Sequence, residues 1–357
     1  MASSDQANAL EGDPQFERYS RQILFPRIGR ERQERLLASR VTLIGCGALG
    51  TVLADILARA GVGFIRIVDR DYVERNNLQR QILFTEQDAA DGAPKAVAAA
   101  RALAAINSDI TIEPIIADVD GANIESLIAD ANLILDGTDN FETRFLINDA
   151  AVKHRVPWVY GACVGAEGMV LPILPMQTPC LRCVWDQPPP PGQNPTCDTA
   201  GVIAPIVHVV AALQATEAIK ILTGQLDAVS RKLTQIQVWE GRFDAFDVSG
   251  ARESADCPCC VHGRYEYLTA IRAGRSVSLC GRDAVQIAGR TDTALDFDQL
   301  AARIGPAAKS GVQFNRYLMR FEADGCLVTV FRDGRAIIKG TSQPDAARGL
   351  YAKYIGT

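Results

Sequence analysis

The chain is 357 residues long, with 37 lysines and arginines against 42 aspartates and glutamates, a net charge of −5, and 48% hydrophobic residues. Neither the charge density nor the apolar content is that of a disordered or fibrous chain, and at about 150 residues per domain the length implies two domains. The longest apolar run, Gly201 to Leu213, contains Pro205 and His208 and falls short of the roughly 20 residues that cross a bilayer. The opening MASSDQANALEGD has neither a basic nor an apolar leader segment. A soluble, cytoplasmic protein is expected, with neither membrane nor nucleic acid as partner.

Strand-like and helix-like stretches alternate at first: VTLIG (41–45), a helix from Ala48 to about Ala60, FIRIVD (64–69), a helix from Pro94 to about Ile106, ITIEPII (110–116) and LILDG (133–137). This is the rhythm of a parallel sheet with crossover helices. Pro94 suits a first helical position, which puts Lys95 in a first turn where its ammonium can reach a phosphate. Beyond Trp158 come VPWVYGAC, GMVLPIL and LTQIQVW, interrupted by DQPPPPGQNP (186–195), whose four prolines predict an extended, mobile loop. His208 lies in an apolar helical stretch, GVIAPIVHVVAALQATEAIKIL, and reads as a core or interface residue.

From about Arg264 the pattern changes to short strands (SVSLC, AVQI), a helix (FDQLAARI), strands within YLMRFEADGCLVTVFRDGRAIIKG joined by Asp-Gly turns, and a closing helix, PDAARGLYAKYI. The charge changes as well, from 23 basic and 33 acidic residues through Gly263 to 14 and 9 after it, or −10 against +5. The expected fold is α/β, a Rossmann-like, mostly parallel sheet with crossover helices over residues 1–263, followed by a small α+β domain over 264–357.

The segment GCGALG places Gly45, Gly47, Ala48 and Gly50 between VTLI and a helix, and Asp69 ends the next strand. Glycines let a backbone approach phosphate at a helix N-terminus, and an acidic residue at that distance can hydrogen-bond a ribose. The motif indicates a nucleotide without saying which; a dehydrogenase would show it too.

Two C-x-x-C pairs, Cys180/Cys183 and Cys257/Cys260, supply four thiolates suited to a closed tetrahedral zinc site. Cys259 lies between the second pair, and the spacing selects the outer two. With ten cysteines and only three histidines (His154, His208, His262), chemistry built on histidine is short of supply. Cys46 and Cys163 read as packing residues.

RYSRQI, GCGALG, NNLQRQ, APK, GTDN, CLRC, CDTAGVIAP and CPCC occur in that order from about Arg18 to Cys260. In this the chain resembles the ThiF/MoeB/HesA family of ubiquitin-activating-enzyme-like adenylyltransferases, and its bacterial sulfur-carrier-activating members in particular. The resemblance implies Asp69 on the ribose of ATP, Asn77, Gln79, Arg80 and Lys95 around the phosphates, and Asp139, beside Asn140, on Mg2+. It implies Arg21 reaching a neighbouring subunit's site in a homodimer, Zn2+ on the four cysteines, and Cys197 as a loop cysteine able to form a thioester, persulfide or acyl disulfide. Ala48 departs from the glycine that close relatives often carry.

The implied activity is ATP-dependent adenylation of the C-terminal glycine carboxylate of a ubiquitin-like sulfur carrier ending in Gly-Gly. No cysteine in the second domain sits in an arginine-flanked strand-to-helix loop, so a separate protein would donate the sulfur. A peptide-modifying adenylyltransferase keeps the same chemistry with another substrate. An NAD-dependent dehydrogenase leaves NNLQRQ, GTDN and the cysteine pairs without a role.

Overall fold

The computed structural model describes residues 14–189, 197–254, 256–269, 276–279, 284–287, 294–308 and 311–356. The opening MASSDQANALEGD and most of the proline segment read above as mobile lie outside the described residues. The chain divides into two compact units, residues 1–190 with 200–270, and residues 191–199 with 271–357.

The first unit is built on eight strands: β1 (Arg40–Ile44), β2 (Phe64–Val68), β3 (Thr111–Ile115), β4 (Leu133–Asp136), β5 (Trp158–Val164), β6 (Glu167–Ile173), β7 (Lys232–Gln237) and β8 (Arg242–Asp247). Their order is β3-β2-β1-β4-β5-β6-β7-β8. The first five run parallel, and β5 to β8 pair antiparallel. Central β1 is buried from Val41 through Ile44, as a strand covered on both faces must be. Ile44 is in register with Val68 of β2 and with Asp136 of β4, so these three strands end level with one another. Order reverses between β1 and β4, and open α/β sheets take ligands at such a switch point, outside the carboxyl ends of their strands.

Helices Ala48–Ala60, Lys95–Ile106 and Ala204–Leu222 share one core with the sheet. Phe141–His154 contributes Phe145, Leu146 and Ile147 to a separate core, which also contains Cys180, Cys257, Cys259 and Cys260. Pro94 is the cap before its helix rather than the first helical residue, and Lys95 is the first. Proline's preference for extended backbone, here ψ 135°, suits that half-in position.

Helix Ala204–Leu222 corrects the apolar run expected to end at Leu213. It is 19 residues long and, by length and composition alone, apolar enough to cross a membrane. Instead Ile206, Val207, Val210, Ala211, Ala215 and Ala218 bury in the core. Gln214 and Glu217, which break the apolar run in sequence, find partners inside: Gln214 donates to the carbonyls of Asp136 and Val159, and Glu217 accepts from Lys220 and the Ser230 amide. His208 is exposed in this chain, not a core residue.

Among the described residues, the second unit contains a six-stranded antiparallel sheet. Its strands are β9 (Ser276–Leu279), β10 (Ala284–Ile287), β11 (Val312–Phe314), β12 (Leu318–Ala323), β13 (Cys326–Phe331) and β14 (Ala336–Lys339), in the order β11-β12-β13-β14-β10-β9. Helices Phe297–Ile304 and Pro344–Tyr354 share a core with Val285, Met319, Phe321, Val328 and Val330. Asp324 and Gly325 both take positive φ, 50° and 80°, as a two-residue hairpin turn requires.

Two strands went unread in the sequence, β8 and β11. RFDAFD of β8 is mostly exposed at the sheet edge, so its residues carry no in-out alternation.

Candidate functional site

Because β1, β2 and β4 end level, the residues that follow them meet. Gly45 has φ +89°, and a β-carbon there would lie 2.6 Å from the carbonyl oxygen of Gly137. Gly50, in the first turn of Ala48–Ala60, approaches so closely that a β-carbon would lie 2.1 Å from the Gly45 oxygen. Gly47 caps this helix without a side-chain hydrogen bond. The helix therefore begins at the strand ends with no side-chain cap on its first amides, the arrangement that binds phosphate.

Asp69 is anchored by both carboxylate oxygens, accepting from the Cys46 amide (2.6 Å) and the Asp71 amide (2.7 Å). Burial raises its pKa, and Lys95 pulls it back. Lys95 is 5% exposed and lies 3.1 Å from Asp71 Oδ2. A buried ammonium at a helix N-terminus opposes the helix dipole, and the Asp71 carboxylate places a counter-charge beside it. Arg70 pairs with Asp118 at 3.0 Å. Burial opposes its charge, but Asp118, Asp71, Asp139 and Asp69 together raise its pKa. The structure thus gathers Asp69, Lys95 and Asp139 in one electrostatic neighbourhood and adds Arg70, Asp71 and Asp118, which the sequence reading missed. The signal was present in Asp-Arg-Asp at 69–71.

Asn77 is buried and acts locally. Its Oδ1 accepts from the Glu74 amide, closing the cap of the turn Arg75–Asn77. Arg80, partly buried, donates to the Asn76 carbonyl at 2.8 Å. Gln79 is exposed, its amide 3.5 Å from the Val202 carbonyl. Asp139 is exposed beyond the end of β4, and Asn140 caps Phe141–His154 by accepting from the Thr143 amide. Ala48 is the first residue of its helix. Arg21, exposed on the turn Ser20–Ile23, hydrogen-bonds to none of these among the described residues. Cys197 begins the turn Cys197–Ala200; its side chain is outside the described part. Cys46 is fully buried, and burial pushes its thiol well above the ordinary value.

Beneath Asp139 lies an ion pair that sequence reasoning also missed. Asp136, with no exposure, accepts from Arg144 Nε at 3.0 Å and from Thr138 through both amide and hydroxyl. Arg144 also donates to the carbonyls of Thr138 and Gly161. An aspartate ending the apolar strand LILD, with an arginine in the next helix's first turns, was the available clue.

The four sulfurs of Cys180, Cys183, Cys257 and Cys260 lie within 4.8 Å of one another. Separations of 3.8, 3.6 and 3.4 Å come near the ~3.8 Å edge of a tetrahedron with ~2.3 Å metal–sulfur bonds. These residues could hold a metal ion. Cys259 stays outside the set and accepts from Asn148 Nδ2 at 3.4 Å.

The sequence model described as "ThiF family" matches residues 19–259. The chain is 43% identical to a protein named sulfur carrier protein ThiS adenylyltransferase from Bacillus subtilis, over 95% of this chain and 99% of that one. It is 39% identical to a SAMP-activating enzyme E1 from Haloferax volcanii, over 70% of this chain and 90% of that one. The structure of E. coli MccB with ATP is similar at a TM-score of 0.59 and 26% identity, covering 68% of this chain and 74% of that one. The parallel sheet, the level strand ends and three of the four clustered cysteines lie within the matched region, with Cys260 one residue beyond it, and the chain belongs to the ThiF family.

Proposed function

We propose that this chain uses ATP and Mg2+ to adenylate the C-terminal carboxylate of a ubiquitin-like sulfur carrier ending in Gly-Gly. The observation that carries the reading is the level ending of β1, β2 and β4, which brings the glycine turn, Asp69 with Lys95, and Asp139 to one end of the sheet. The Bacillus subtilis relative, named for ThiS adenylation and matched over almost its whole length, supports the substrate class.

A carboxylate is a poor electrophile until one of its oxygens becomes a leaving group. Here a carboxylate oxygen attacks the α-phosphorus of ATP, the bond to the bridging oxygen breaks, and pyrophosphate leaves with that electron pair. No proton has to be removed from the nucleophile, in keeping with a chain of three histidines. On this reading Asp69 orients the ribose, and the amides at Gly47 and Ala48 meet phosphate oxygens. Lys95, Arg80 and the Asn77 segment hold the charge that builds during attack. Asp139 would hold Mg2+, which when bound would supply positive charge against the phosphates. Arg21 acts in the partner's cleft of a homodimer.

Zn2+ on the four cysteines supplies a structural tie. Cys197 acts after adenylation, and the sulfur comes from a separate donor protein in the cytoplasm. The peptide-modifying reading keeps the same chemistry with another carboxylate as substrate.

The test is ATP–pyrophosphate exchange with a Gly-Gly-ended carrier, the same carrier lacking its last glycine, and Asp139→Ala as control. Exchange that requires the intact carrier and disappears in Asp139→Ala supports the assignment. Exchange without a carrier, or in the Asp139 variant, defeats it.

A further inference from the structure

Helix Phe141–His154 reaches both the end of β4 and the sulfur cluster through side chains four residues apart, which share a helix face. Asn140 caps it directly after Asp139. Arg144 ties it to Asp136 and to the carbonyl of Thr138. Asn148, with no exposure, accepts from the Leu181 amide at 2.8 Å and donates to Cys259 Sγ at 3.4 Å. Leu181 lies inside the first C-x-x-C and Cys259 inside the second, so one amide side chain clasps both halves of the site. The neighbouring Asp149 accepts from the Tyr267 amide, beyond the second pair.

We propose that Asn148 is a positioning residue that couples metal binding to nucleotide binding. With the metal in place, the two cysteine segments are fixed relative to each other and hold Asn148. Asn148 in turn holds the register of the helix, and the helix, through Arg144 and its Asn140 cap, holds the 136–140 loop that presents Asp139. Leu181, Cys259, Asn148, Arg144 and Asp136 along this path are buried, and close-packed interiors transmit displacement rather than absorb it. Coupling is reciprocal, so nucleotide bound at Asp139 must tighten the metal by the factor by which the metal tightens nucleotide. The inference rests on the nucleotide and zinc readings above.

The experiment measures zinc affinity of the full chain by competition with a chromogenic chelator, with and without saturating MgATP and in the absence of carrier. MgATP is expected to raise zinc affinity about five-fold or more. Asn148→Asp keeps the acceptor for Leu181 but loses the donor to Cys259. It is expected to bind zinc about 10- to 100-fold more weakly, with the MgATP effect reduced toward one. Should that variant not fold, Arg144→Lys, away from the sulfurs, is expected to keep the basal zinc affinity while losing the MgATP effect. A wild-type zinc affinity indifferent to MgATP, or variants keeping the full wild-type ratio, overturns the coupling. A chain that binds MgATP by calorimetry yet shows no such ratio refutes the coupling alone, whereas one that binds no MgATP or no zinc overturns the underlying reading and the coupling with it.

Discussion

Gly45 and Gly137 exclude a side chain at each other's position. A β-carbon on Gly45 would lie 2.6 Å from the Gly137 carbonyl oxygen, and one on Gly137 would lie 2.3 Å from the Gly45 carbonyl oxygen. Gly45→Ala also forces alanine to φ +89°. Strain of about 1–3 kcal/mol is expected together with a displaced phosphate turn. Calorimetry should show MgATP affinity lost in Gly45→Ala. It should be retained in Gly165→Ala, where φ is +60° but nothing lies within 4 Å.

The Asp136–Arg144 pair is buried on both sides. Arg144→Leu strands a carboxylate with no exposure and should cost about 3–5 kcal/mol in denaturant unfolding. Adding Asp136→Asn removes the stranded charge and should restore part of that loss. A double variant no better than the single one would mean that the pair is not the source.

Asp69 gives the pH dependence. Its ionised form accepts two amide hydrogens at the strand ends, and burial raises its pKa. Protonation therefore sets in at higher pH than for an ordinary aspartate, and MgATP affinity should begin to fall on acidification before the usual aspartate range is reached. Asp69→Asn should bind more weakly and show no such fall. Calorimetric titrations across pH 4–8 check both, and a parallel fall in wild type and variant would refute the assignment.

At the sulfur cluster, Cys257→Ser and Cys259→Ser should separate. The first removes one of the four clustered sulfurs and the second does not. Metal content by atomic emission should fall in Cys257→Ser and persist in Cys259→Ser. The thermal midpoint of Cys257→Ser should drop by roughly 6–12 °C, the shift that about 3 kcal/mol produces in a unit of 150–250 residues. Equal metal loss in both variants would put Cys259 among the ligands.

The separation of Cys257 from Cys259 shows where sequence reading reached its limit. Cysteines at fixed spacing are locally legible, so C-x-x-C picked out the outer pair. That Cys259 belongs to Asn148 instead depends on residues 111 positions apart, and no local pattern carries that information. The core alternative for His208 failed for the opposite reason. Its neighbours in sequence are apolar, but an α-helix turns about 100° per residue, and that turn sent His208 to the exposed side.

The sequence by itself determined the local elements, the phosphate turn and the ligand spacing, because these follow from periodicity, glycine's freedom and short covalent distances. It placed β1 to β4, the helix after Gly47, and both Asp-Gly hairpins of the second unit. Only the tertiary structure decided which charges face one another. Lys95 with Asp71, Arg70 with Asp118, Arg144 with Asp136, and Asn148 between two cysteine segments are outcomes of strand register and burial. A buried charge or amide must find a partner wherever the fold brings one near, and that partner is set by the order β2-β1-β4 across the sheet rather than by order along the chain.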